Sequence, residues 1–288
     1  MGNKTEIKNP IINTYLNDFI DKYEISNSKA KDKHDLFEKY INDIILTLYG
    51  NDPSASFYDM ETKTAFGIDG IAIFVADRFV KSPEDVDDVL ESLKKIDVEF
   101  YFSQSKTENN FNRTEIGDFL TGIRRFFNFE KCEIPELKEF WETAKYIYTK
   151  ATKFKETPKL HTIFASLSPK EINSEDIHLK AEIDLKIEDL ENLGMFSKVS
   201  HPQFWGLKEI MNLHKKSNSD LEIVVNMTKT PVTYPKDKSG KIKNGYYGLI
   251  KLEDFINILT DEVSGKRILR KGIFDDNIRY YLEIGRAH

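Results

Sequence analysis

Apolar side chains recur every three to four positions in several stretches of the chain, and this spacing predicts amphipathic helices. The predicted helices cover residues 10–24, 32–49, 82–95, 114–128, 135–150, 202–215 and 252–260. Runs rich in β-branched and aromatic residues predict strands instead. The predicted strands cover residues 66–75, 98–106, 160–167, 181–187 and 221–227, with a further strand starting near Phe57. Helices that alternate with strands in this way predict an α/β fold with a mixed sheet between helices.

Polar side chains interrupt two of these otherwise apolar strands. Gln104 and Lys106 lie two residues apart at the exit end of one strand, so both point to the same face of the sheet. Asp69 lies in an earlier strand, between Gly67 and Gly70, and glycine inside a strand pattern often marks a close approach of another backbone. If the two strands are neighbours in the sheet, the side chains of Asp69, Gln104 and Lys106 converge.

The three side chains would suit metal-assisted hydrolysis of a phosphodiester. A carboxylate from Asp69, the amide oxygen of Gln104 and the backbone carbonyl of Ser105 are hard oxygen ligands of the kind that Mg²⁺ or Mn²⁺ prefers. Lys106 would orient water and stabilise charge in the transition state. Glu38, at the border of the apolar stripe of helix 32–49, would supply a further carboxylate, directly or through water.

Each of these residues also has an ordinary structural explanation. An aspartate beside glycine is commonly a turn residue, and a glutamine and a lysine at a strand end are commonly solvated surface. Glu38 at a stripe border has the same alternative as a surface acid. Spacing alone leaves both explanations open.

Composition limits the class of protein without identifying its activity. The chain has 288 residues, of which 40% are hydrophobic and 31% charged, as expected for a soluble globular protein. No apolar run reaches the roughly 18 residues that would span a bilayer. The single cysteine, Cys132, excludes an internal disulfide and favours a reducing, cytoplasmic location. A net charge of −6 argues against a uniformly basic surface but leaves room for a local nucleic-acid groove.

The quoted residues carry a resemblance to a nuclease superfamily. Gly67-Ile68-Asp69-Gly70, followed by Gln104-Ser105-Lys106, resembles the Mrr-like branch of the PD-(D/E)XK nucleases, in which Gln replaces the first acid of the second motif. The resemblance implies a restriction-endonuclease-like core with the order helix, three strands, helix, strand. It also implies that Asp69, Gln104 and Lys106 are the catalytic residues and that Glu38 matches the acid on the first helix of the family.

A second resemblance extends over most of the chain and involves several separate blocks. They look like parts of the abortive-infection phage-resistance (AIPR) family: Phe37-Glu38, residues 67–73, 98–100, 104–107 and 115–119, then 247–251 and 273–279. The resemblance implies an N-terminal helix and connector (1–30), a nuclease-like domain (31–168) and the start of a partial α+β C-terminal region (169–288). The final residues do not resemble the continuation of the family, so a truncated C-terminal region is expected.

The function implied is phage defence by a Mg²⁺-dependent nuclease that takes DNA or RNA as its substrate. The alternative is a nuclease-fold module that has lost catalysis and senses nucleic acid or a phage protein, and a weaker one is a structural partner domain. No membrane partner is expected, whereas a homo-oligomer and a phage-derived trigger stay open. Basic clusters at Lys236–Lys243 and Lys266–Lys271, together with Arg124 and Arg125, have two explanations: phosphate contacts or solvated surface.

Overall fold

The structure, a computed structural model, describes residues 7, 9–25, 32–50, 55–172, 177–218, 227–230, 232–233, 246–263 and 266–269. The chain divides into two compact units, Met1–Asn218 and Ser219–His288. The first unit contains all of the predicted site residues, and its architecture follows.

The helices and strands of the first unit alternate along the chain. In order they are α1 (Pro10–Tyr23), α2 (Lys33–Tyr49), β1 (Glu61–Ala65), β2 (Ile68–Val75), β3 (Arg78–Phe79), α3 (Pro83–Ser92), β4 (Val98–Lys106), α4 (Arg113–Phe126), α5 (Lys138–Thr149), β5 (Lys159–Ser166), α6 (Ile177–Glu191), β6 (Lys198–Val199), β7 (Gln203–Trp205) and α7 (Leu207–Asn218). Short 3-10 turns lie at Phe57–Met60, Pro135–Leu137 and Ala151–Lys153.

Within the described residues, the strands of this unit form one mixed sheet in the order β1-β2-β4-β5-β6, with β3 paired to β2 and β7 paired to β5. The pairs β1–β2 and β2–β4 are antiparallel, whereas β4 and β5 run parallel in register from Glu99↔Lys159 to Lys106↔Ser166. Helices flank this sheet. The predicted α/β class with a mixed central sheet is therefore confirmed.

Local sequence signals account for where several helices begin. The side chain of Asp32 accepts hydrogen bonds from the first backbone N–H groups of α2, and Asn112 does the same for α4. Ser82 and Asp85 form a capping box at the start of α3, with Pro83 in the first turn. The apolar stripe of α2 is buried and packs against β2 and β4. This packing brings the border residue Glu38 towards the ends of those strands.

One predicted strand is wrong, because residues 181–187 lie within the helix α6. Ile183, Leu185 and Ile187 alternate with polar residues, which imitates the two-residue period of a strand. The helix buries Ile183 and Ile187, together with Leu179 and Leu190, and leaves Leu185 exposed. The four-residue spacing of Leu179, Ile183 and Ile187 therefore matches the buried face of the helix, whereas the two-residue alternation through Leu185 does not correspond to a strand.

The first compact unit extends past residue 168, at which the nuclease-like domain was expected to end. α6 packs against α4, and β6 and β7 both pair with β5, so the compact unit continues to Asn218. The region predicted as a helix from residue 202 begins with the strand β7 before α7 starts. A strand near Phe57 was expected, and there the chain forms a 3-10 turn before β1.

The second unit contains, in chain order, β8 (Val232–Thr233), β9 (Tyr246–Tyr247), α8 (Leu252–Leu259), β10 (Thr260–Val263) and β11 (Lys266–Leu269). α8 confirms the helix predicted at residues 252–260. Most of the predicted strand 221–227, the whole basic cluster 236–243 and the block 273–279 lie outside the described residues. No helix in the described part of the chain is long and apolar enough to cross a membrane.

Candidate functional site

The exit end of β4 lies beside the start of β2, an arrangement that convergence of Asp69, Gln104 and Lys106 requires. The two strands pair from Gly70↔Ser103 to Val75↔Val98. Just beyond this ladder, the carboxylate Oδ2 of Asp69 accepts a hydrogen bond of 2.7 Å from the backbone N–H of Ser105. The carboxylate is thereby fixed next to the β4 segment that carries Gln104 and Lys106.

The two glycines near Asp69 allow neighbouring groups to approach closely. Gly67 has a φ of +73°, and a Cβ at this position would lie 2.8 Å from the amide nitrogen of Gln104. A Cβ on Gly70 would lie 2.3 Å from Oδ1 of Asn42, a residue of α2. Both contacts require the absence of a side chain, so glycine at these positions lets α2 and the Gln104 amide pack against β2.

Besides Oγ of Ser105, two buried oxygen atoms of the predicted metal ligands at this end of the sheet have no hydrogen-bond partner among the described residues. They are Oδ1 of Asp69 and Oε1 of Gln104, and the two residues are only 3% and 2% exposed. A buried polar atom without a partner costs free energy, which is why native proteins contain few of them. Both atoms are hard oxygen donors of the type that binds Mg²⁺ or Mn²⁺.

Burial raises the pKa values of both candidate carboxylates. The pKa of Glu38 rises to about 8, mainly through burial and further through the negative charges of Asp69 and Asp35, while Lys106 and Lys39 oppose the shift. The pKa of Asp69 rises to about 6 for the same main reason, although the Ser105 N–H and Lys106 oppose it. These mutual effects mean that Glu38, Asp69 and Lys106 occupy one electrostatic environment.

A buried ion pair next to Glu38 holds α2 against β1. The ammonium of Lys39, which is 3% exposed, lies 2.6 Å from Oδ1 of Asp35 and 3.0 Å from Oε1 of Glu61. Because Asp35 is on α2 and Glu61 is on β1, this lysine joins the helix to the sheet. The arrangement fixes the helix position from which Glu38 reaches the strand ends.

Sequence reasoning did not include His34 or Glu115 in the site. Nδ1 of His34 lies 2.5 Å from Oγ1 of Thr107, the residue that follows Lys106. His34 precedes Glu38 by four residues and therefore lies on the same face of α2, a spacing that could have identified it. Glu115 lies in the first turn of α4, and its charge raises the pKa of Asp69 further.

The donor set fits a divalent cation only if neutral oxygens take part. Within the described ranges, no group of three or more His, Cys, Asp and Glu side chains is arranged to hold a metal ion. The unpartnered oxygens of Asp69 and Gln104 still suit a hard cation, with the Ser105 carbonyl and Glu38 as the other predicted donors. Asp69 and Gln104 are therefore the residues on which a metal centre here would depend.

Comparison of the chain with protein-family models, with curated proteins and with solved structures gave no match. The resemblance to the AIPR and Mrr-like families therefore stays a prediction that depends on the quoted residues.

Proposed function

We propose that the first unit is a PD-(D/E)XK-type nuclease domain of an AIPR-like phage-defence protein, which hydrolyses nucleic-acid phosphodiesters with Mg²⁺ or Mn²⁺. The order of α2, β1, β2, β4, α4 and β5, with two antiparallel pairs followed by a parallel pair, supports this proposal because it agrees with the order expected for that core. The insertion of β3 and α3 between β2 and β4 is an addition to that core.

The observation that carries the proposal is the hydrogen bond between the Asp69 carboxylate and the Ser105 N–H. It joins the acid of the first motif directly to the segment Gln104-Ser105-Lys106 of the second. Residues held on paired strands are preorganised, which an active site needs if catalytic groups are to act without reorganising.

A metal bound by Asp69 and Gln104 would lower the pKa of a bound water and would neutralise charge on the phosphate. Lys106 would then place its ammonium beside the phosphate oxygens and stabilise the negative charge that develops on them. Glu38, whose pKa is raised mainly by burial in the metal-free chain, would supply a further carboxylate to the metal, directly or through a bound water. Each residue thus has a distinct role in the proposed hydrolysis.

A second candidate function is a binding module of the same fold that lacks catalysis. Gln104 carries no charge where the family usually has an acid, so the site contributes one negative charge fewer to a metal. The absence, among the described residues, of a group of three metal-ligating acids and histidines favours this candidate as well. Such a module would bind nucleic acid or a phage protein as a sensor.

Calorimetric titration with Mg²⁺ and Mn²⁺ distinguishes the two functions. The nuclease proposal predicts metal binding that is lost in Asp69→Asn and unchanged in Asp88→Asn, a matched change of an exposed acid on α3. Binding should be tighter at pH 8 than at pH 6, because metal must displace protons from Asp69 and Glu38. Absence of Asp69-dependent binding of either ion would favour the module without catalysis.

A further inference from the structure

The two-residue turn between β1 and β2 has an unusual residue, Phe66, at its first central position. Ala65 pairs with Ile68, and the residues between them, Phe66 and Gly67, have φ values of +55° and +73°. Positive φ at both central positions defines a type I′ turn, which strongly favours Asn, Asp or Gly. A phenylalanine is strained there, so formation of the hairpin does not explain its presence.

The side chain of Phe66 does not contribute to the core either. It is 46% exposed, and the guanidinium of Arg125 lies 4.7 Å from the centre of its ring. The backbone of the turn is nevertheless held firmly, because a Cβ on Gly122 of α4 would lie only 2.7 Å from the carbonyl oxygen of Phe66. The packing of α4 therefore presents an aromatic ring to solvent in a defined position.

The turn that carries this ring adjoins the candidate site. The adjacent Gly67 packs against the amide of Gln104, and Asp69 follows Phe66 by three residues, which is at most about 11 Å of extended chain. Even at the spacing of about 3.4 Å per nucleotide that each strand has in double-stranded DNA, a nucleic-acid strand covers that distance in roughly three nucleotides.

The geometry points to Phe66 and Arg125 as a stacking subsite for an unpaired base of a single-stranded nucleic acid. The ring stacks on the base, and Arg125, which is 44% exposed, contacts a neighbouring phosphate. Glu133 lies 4.0 Å from Nε of Arg125, but an exposed ion pair at that distance leaves the guanidinium free to bind phosphate. This inference rests on the proposed function only for the class of substrate.

The test uses the full chain carrying Asp69→Asn, in EDTA, so that binding is measured without cleavage. DNA and RNA oligonucleotides that contain 2-aminopurine report stacking by quenching of their fluorescence. Phe66→Asn should abolish the quenching and weaken binding about tenfold. It should also raise the thermal midpoint, because Asn-Gly suits a type I′ turn. Phe66→Trp should retain both the quenching and the affinity, and so should the control Leu185→Gln on the exposed face of α6.

The inference would be overturned if Phe66→Asn showed the same quenching and the same affinity as the parent chain. It would also be overturned if the parent chain bound no oligonucleotide. The rise in thermal midpoint shows that a loss of binding does not come from unfolding. Failure of the proposed function can be distinguished from failure of this inference. A chain that stacks bases through Phe66 but cleaves no nucleic acid would support the stacking subsite and contradict the nuclease proposal.

Discussion

The Oδ2 atom of Asp69 accepts a hydrogen bond of 2.7 Å from the backbone N–H of Ser105, which lies between the two other predicted site residues of β4. This bond crosses from the start of one strand to the end of its neighbour. It satisfies a buried N–H group and at the same time orients a carboxylate whose other oxygen has no partner among the described residues. Structure and proposed chemistry therefore depend on the same side chain.

Replacement of Asp69 should separate these two roles. Asp69→Ala removes the acceptor and leaves the Ser105 N–H buried and unsatisfied, so the free energy of unfolding should fall by about 1–3 kcal/mol. Asp69→Asn keeps an oxygen acceptor, so its free energy of unfolding should fall clearly less. Urea denaturation of the two variants measures the difference, and equal losses would show that the hydrogen bond does not stabilise the fold.

Glu38 and Asp69 should each make the metal-free protein less stable as pH rises from acidic to mildly basic values. Burial raises the pKa of Glu38 from 4.5 to about 8, so between these values the folded chain holds a proton that the unfolded chain has released. The free energy of unfolding therefore falls with rising pH in this window. Asp69 adds to the trend over its own range, from 3.8 to about 6.

Glu38→Gln provides the check on this pH dependence. The amide cannot ionise, so the urea midpoint of the variant should vary less with pH between about 6 and 8 than that of the unchanged chain. A matched change at an exposed acid, Asp88→Asn, should leave the slope as it was. Identical slopes for the unchanged chain and Glu38→Gln would contradict the assigned burial of Glu38.

Gly70→Ala should destabilise the first unit by about 1–3 kcal/mol, because the added methyl group would collide with Asn42 and Ser103. Asn42→Ala removes the closest colliding atom, so the double variant should lose less than the sum of the two single losses. A double-mutant cycle by denaturation measures this coupling. Strict additivity would mean that α2 does not pack on β2 at Gly70.

Much of the fold could be predicted from local patterns, and the exceptions have physical causes. The apolar stripe of residues 32–49 has the period of a helix and predicts α2. The apolar run of residues 98–102 is rich in aromatic residues and predicts the strand β4. Residues 181–187 fit two periods at once, so only packing against α4 decided for a helix. The extent of the first unit depended on β6 and β7, which are two and three residues long and leave little sequence signal.

The candidate site was predictable as a set of residues, but its geometry was not. The glycines and the two-residue spacing of Gln104 and Lys106 identified the strand ends. The pairing of β2 with β4 joins residues about 30 positions apart, which no local pattern encodes. The contact between His34 and Thr107 is similarly long-range. Phe66 was missed because its backbone conformation decides its exposure, and sequence does not reveal φ.

The most direct test of the central claim is cleavage of DNA and RNA by the full chain with Mg²⁺ or Mn²⁺. The account predicts metal-dependent nicking that falls by at least about 100-fold in Asp69→Asn and in Lys106→Met, since each removes a group that acts in the transition state. The exposed controls Asp88→Asn and Lys94→Met should cleave as the unchanged chain does. Undiminished, metal-dependent cleavage by both Asp69→Asn and Lys106→Met would contradict the account.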